Sequence, residues 1–158
     1  MNRKLLNPGW WQGLRHRRGF GIHSPFAYRF ITEALNPSRG YRYYAEDYAE
    51  DRTRRIVARL EGFFGVRRTV WVNSEGIDAG ELAESGLVVV DLRKGCPEAV
   101  LERVRKGEVV VLALHHGKGR LLPLLKAMPH GMSFRNRSTR AVLVCTKKLP
   151  RQDFGVAW

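Results

Sequence analysis

The stretch that decides the fold is LVVVDLRKGCPEAVLERVRKGEVVVLALHHG, residues 87–117. It opens on four consecutive apolar residues, Leu87-Val88-Val89-Val90, and this run ends in Asp91. A second apolar run, 108–114, ends in His115-His116-Gly117. Half-exposed strands alternate apolar and polar positions, whereas unbroken runs fit strands covered on both faces, as in a parallel sheet under helices. Between the runs, residues 97–106 follow a helical period, with Pro97 and Glu98 at the start and Arg103, Arg105 and Lys106 near the end. Those signs suit the helix dipole, and Gly107 stops the helix. Strand, helix and strand predict a right-handed β-α-β unit. Ligands of open α/β sheets sit outside the carboxyl ends of the strands. Here those ends carry Asp91, His115 and His116, the candidate catalytic residues.

Working outward, residues 69–73 read as a first strand, and 74–86 are just long enough to cross over to a parallel neighbour, with a short helix at 78–84. Downstream, 120–128 read as an apolar helix with Pro123 in its first turn. Residues 132–134 and 140–146 form a hairpin-like pair across a polar loop at 135–139, and the tail after Pro150 adds a last edge segment. Upstream, Ser24-Pro25 is a serine cap followed by proline at the first helical position. Phe26, Phe30, Ile31, Ala34 and Leu35 then share one helical face. A second helix is expected over 45–61, acidic at its start and basic later, with Glu50–Arg54 and Asp51–Arg55 as exposed pairs. Ile56, Val57, Leu60 and Phe64 give its buried face.

The predicted fold class is therefore α/β: a mostly parallel sheet of about five strands with helices on both faces and a closing antiparallel hairpin. Residues 1–64 form an amino-terminal basic arm and helical extension, and residues 65–158 the α/β core, within one compact domain. A chain of 158 residues suits a single core. No run reaches membrane-spanning length and the two cysteines, Cys96 and Cys145, lie far apart, so a soluble, cytoplasmic protein with small buried or half-buried thiols is expected.

Charge is the strongest compositional signal. The chain carries a formal +13, of which residues 1–55 hold +6, residues 56–117 −1 and residues 118–158 +8. A neutral core with basic flanks favours an anionic partner, nucleic acid or another, through Arg3, Lys4, Arg15, Arg17, Arg18 and the 118–158 segment. Trp10 and Trp11 among the first arginines could stack on bases or fold back over an apolar groove. Alternatively, the basic residues only solvate outer helices and loops.

The run RGFGIHSPF, residues 18–26, together with Tyr43-Tyr44, resembles the amino-terminal region of bacterial class I S-adenosylmethionine-dependent methyltransferase-like proteins. The segment from Leu87 to Leu149-Pro150-Arg151-Gln152 is similar to the second half of the same Rossmann-like fold. The resemblance covers most of the chain. It implies S-adenosylmethionine as cofactor, held after the first strand by Asn73, Glu75, Gly76 and Gly80. It also implies that two strand–helix units, the half that holds adenine and ribose, are missing before the strand ending in Asp91. A competing alignment makes 87–90 the second strand and Asp91 the ribose carboxylate.

That loop, Asn73-Ser74-Glu75-Gly76-Ile77-Asp78-Ala79-Gly80, has two glycines, four apart. Close backbone approach to a cofactor needs several glycines, so turn formation accounts for these two. Asp91 with one histidine is too small a set for a hard cation, and no metal site is expected. A histidine at the strand end could act as general base or cap the turn at Gly117-Lys118-Gly119. Two functions follow: a methyltransferase-like protein, an enzyme if its reduced site still binds the cofactor and degenerate if it binds weakly or not at all, or a non-catalytic basic α/β module for nucleic acid or another anionic partner.

Overall fold

The computed structural model describes residues 22–37, 51–72, 76–117, 119–137 and 139–158. Two compact units emerge, one comprising residues 1–66 with 155–158 and the other residues 67–154.

In the first unit, Ser24 caps α1 (Pro25–Arg29) as expected, its hydroxyl accepting from the Ala27 amide at 3.2 Å. The helix continues as a π-helical segment, Phe30–Leu35, closed by the Asn36 amide donating to the Ile31 carbonyl at 2.8 Å. Phe30 and Ile31 are fully buried, Ala34 and Leu35 nearly so, and Phe26 is half-buried. The next helix, α2 (Arg52–Phe64), begins later than the charge pattern suggests. Asp51 is extended rather than helical, and its carboxylate caps the helix by accepting from the amides of Thr53 and Arg54. The same carboxylate pairs with Arg54 at 3.4 Å in place of the expected Arg55. Residues 45–50 lie outside the described residues, as do the basic arm 1–21 and the link holding Tyr43 and Tyr44. Phe30 meets Phe63 and Phe64 at 5.3 and 5.4 Å, so α1 and α2 join through an aromatic cluster.

The second unit is built on a six-stranded mixed sheet in the order β1-β2-β3-β5-β4-β6. The strands are β1 (Thr69–Val72), β2 (Leu87–Asp91), β3 (Val109–Leu114), β4 (Met132–Asn136), β5 (Arg140–Cys145) and β6 (Gln152–Gly155), whose last residue falls in the first unit. β1, β2 and β3 run parallel, and β5 lies antiparallel against both β3 and β4. The adjacency expected for 69–73, 87–91 and 108–114 is thus observed. The sheet has one strand more than the five counted from sequence, because the tail segment after Pro150 forms the edge strand β6. Unbroken valine runs end up buried at every position: Leu87 to Val90 are at most 2% exposed.

Three short helices connect the strands: α3 (Ala79–Glu84), α4 (Glu98–Lys106) and α5 (Leu122–Ala127). One sheet face packs against them through Val88, Val90, Val111 and Ala113 with Leu82, Val100, Val104 and Leu124. Arg103 of α4 does more than complement a dipole: its guanidinium donates to the carbonyls of Ser85, Gly107 and Glu108, closing the ends of two connections. β3 begins at Val109 rather than 108, since Glu108 takes a left-handed φ of 54° and its carboxylate accepts from Thr146 and Lys147. Among the described residues, no helix is long and apolar enough to cross a membrane.

Candidate functional site

At the carboxyl ends of β1 and β2 lies a cleft of about 570 Å³, lined by Val72, Gly76, Asp91, Lys94, Gly95 and Pro97 among others. Parallel pairing creates it. Val72 is in register with Val90, and Asp91 follows at the end of β2. The cleft lies at the strand ends to which the β-α-β reading points.

Asp91 is committed within its own turn. Its carboxylate caps the 3-10 turn Leu92–Lys94 by accepting from the Arg93 amide at 3.0 Å. The Arg93 side chain folds back and donates Nε to Oδ1 and Oδ2 at 3.1 and 3.0 Å and Nη2 to Oδ2 at 2.5 Å. Chiefly through these side-chain hydrogen bonds, the Asp91 carboxyl is held below the usual carboxylate range, with the positive field of His115 adding to the effect. A carboxylate so stabilised is a weak base at neutral pH.

The histidines at the end of β3 diverge. Asp91 is in register with Leu114, and His115 follows with a φ of 55°, a left-handed conformation uncommon for a residue with a Cβ. Its amide donates to the Thr139 carbonyl, fastening the end of β3 to the β4–β5 turn, and its ring is exposed. His116 is buried at 8% exposure, and its Nε2 has no hydrogen-bond partner. Burial pushes its pKa below the ordinary value, the Arg135 charge pushes the same way, and the carbonyls of Asn136 and Arg140 oppose them. The two neighbouring histidines therefore occupy different surroundings, His115 exposed and His116 buried.

Of the expected cofactor-binding residues, Gly76 lines the cleft. Gly80 sits in the first turn of α3, where Asp78 caps the helix by accepting from the Glu81 amide at 2.9 Å. Asn73 and Glu75 lie outside the described residues. Lys94, which sequence reasoning passed over, lines the cleft beside Asp91. Its signal was available: it lies three positions beyond the strand's terminal aspartate, on the turn that follows.

Among the described residues, no group of three or more histidine, cysteine, aspartate or glutamate side chains could hold a metal ion. Cys145 is buried and Cys96 half-buried; burial pushes their thiols up to about 12 and about 11, so neither is a nucleophile at neutral pH. Compared with protein-family models, curated proteins and solved structures, the chain matches none.

Proposed function

We propose that the chain is a methyltransferase-like α/β protein whose S-adenosylmethionine site is reduced, binding the cofactor weakly or not at all and no longer catalysing methyl transfer. The observation that carries this reading is the Arg93 guanidinium clamped on Asp91. On the alignment that makes Asp91 the ribose carboxylate, a ribose hydroxyl would have to displace Arg93, which already donates to both oxygens. The amino-acid end of the cofactor needs backbone amides at a loop or helix start. At α3 that position is taken by the negatively charged Asp78 cap. Among the described residues β1 is the end strand of the sheet, with no outer strand to extend the wall on which adenine would stack. These features support weak or no cofactor binding.

Losing two hydrogen bonds and a stacking wall removes roughly 3–6 kcal/mol. That moves a micromolar affinity into the millimolar range, since about 1.4 kcal/mol is tenfold. Isothermal titration of the protein with S-adenosylmethionine should give no saturable heat at tens of micromolar. Saturable binding there, abolished in Gly76→Val or Asp91→Ala, overturns this reading in favour of the enzyme reading.

A further inference from the structure

We propose that the arginine face of α2 is a binding site for phosphates linked in series, on a free oligophosphate or along a nucleic-acid backbone. The site belongs to the first unit and is independent of the cleft at Asp91. Its positions, 52, 55 and 59, are spaced so that one helical face carries all three. Together with Asn36, Pro37 and Trp158 they line a cleft of about 450 Å³. That volume lies in the range of small-ligand sites. The cleft has a fixed wall, because the Asn36 side-chain amide donates to the Ala157 carbonyl at 2.7 Å and holds the 155–158 segment beside the helix.

Charge decides what such a cleft takes. No carboxylate among the described residues pairs with Arg52 or Arg59, whereas Arg54, on another side of the helix, is neutralised by Asp51. The Nε of Arg59 is buried without a hydrogen-bond partner. Burial, and then the charges of Arg55 and Arg52, push the Arg59 pKa down, so like charges crowd here. An anion entering the cleft eases such crowding, and guanidinium forks match phosphate oxygens in geometry. Arg52 and Arg59 lie about 10 Å apart along the axis at 1.5 Å per residue. One phosphate cannot bridge that arc, but a short run of linked phosphates follows it.

The test titrates the full chain with inorganic tripolyphosphate and, separately, with a short single-stranded oligouridylate, each at low and moderate salt. Arg59→Gln and Arg52→Gln are the variants, with circular dichroism as a fold check; Arg52 is exposed, so its variant keeps the fold whatever happens at Arg59. Binding of either ligand should weaken about tenfold in each variant, and the salt slope should fall by about one for each arginine removed. Loss for both ligands assigns free oligophosphate and strand alike, and loss for the oligonucleotide alone assigns the strand. Wild-type binding that survives unchanged in both variants, or no binding of either ligand at low salt, overturns the proposal.

Discussion

Arg93 closes on Asp91 only two residues away, with Nε 3.0 Å and Nη2 2.5 Å from Oδ2, while the Arg93 amide donates to Oδ1. One carboxylate thus ends a strand, caps a turn and neutralises a side chain. The arginine is 60% exposed and the aspartate 26% exposed, so the pair is formed at the rim of the cleft.

Asp91→Ala should therefore lose the turn cap, about 1 kcal/mol at neutral pH, with the half-exposed ion pair adding little. The folded-state pKa of Asp91 is lowered from an ordinary value of 3.8. A lowered carboxyl pKa contributes stability that is present above the unfolded value and lost as pH falls through the folded one. Urea denaturation should show the gap between wild type and Asp91→Ala widest near neutrality and narrowing below about pH 4. A gap that widens in acid contradicts this assignment.

Gly76 and Gly131 share nearly the same φ, 116° and 115°, yet their surroundings differ. A Cβ at Gly131 would meet the Val144 carbonyl oxygen at 1.9 Å, whereas at Gly76 no described atom lies within 4 Å. Gly76→Ala should cost about 1–3 kcal/mol of backbone strain alone. Gly131→Ala meets the same strain plus a clash with a central strand pair, and should cost more or abolish folding. Equal thermal shifts for the two would refute the distinction, and with it the view that Gly76 serves its turn rather than close approach to a ligand.

Phe30 is fully buried, with Phe26, Phe63 and Phe64 rings within 6.0 Å. Truncation to alanine should cost about 3–5 kcal/mol. Chemical denaturation followed by far-ultraviolet circular dichroism measures it. A near-neutral result would mean that the α1 face serves as a docking surface and not as core.

The strands were legible because burial on both faces leaves a local trace, an unbroken valine-rich run such as 109–112. The serine cap at Ser24 was legible for the same reason, since cap and helix are contiguous. The π-helical turn over Phe30–Leu35 was not, because one widened turn shifts a hydrophobic face without changing which residues are apolar. Asp91 was found as a strand-end acid, but its partner was missed. Arg93 and Lys94 carry the same charge at adjacent positions, and only the 3-10 turn decides which of them folds back. The start of α2 was misplaced because Asp51 suits both a first helical turn and a cap, and its φ and ψ alone separate the two. The arginine face of α2 was not singled out from sequence, because its cleft depends on residues 36 and 158, far away in sequence.

His116 gives the last prediction. It is buried with an unpartnered Nε2, and its pKa is lowered from the ordinary 6.5, so the folded chain holds it neutral more strongly than the unfolded chain does. In the window below the unfolded value the unfolded state binds the extra proton, and stability falls as pH falls. Stability from neutral His116 is present above about pH 6.5 and is lost as pH falls below it. Glutamine at this position fills a similar volume without titrating. His116→Gln should then show a flatter denaturation midpoint than wild type between about pH 7.5 and pH 5.5, whatever its absolute stability. Because the slope and not the midpoint is read, a packing defect in the variant leaves the comparison intact. Parallel slopes in the two proteins would mean that His116 takes up a proton without leaving its buried position, and would return it to the list of groups able to shuttle one.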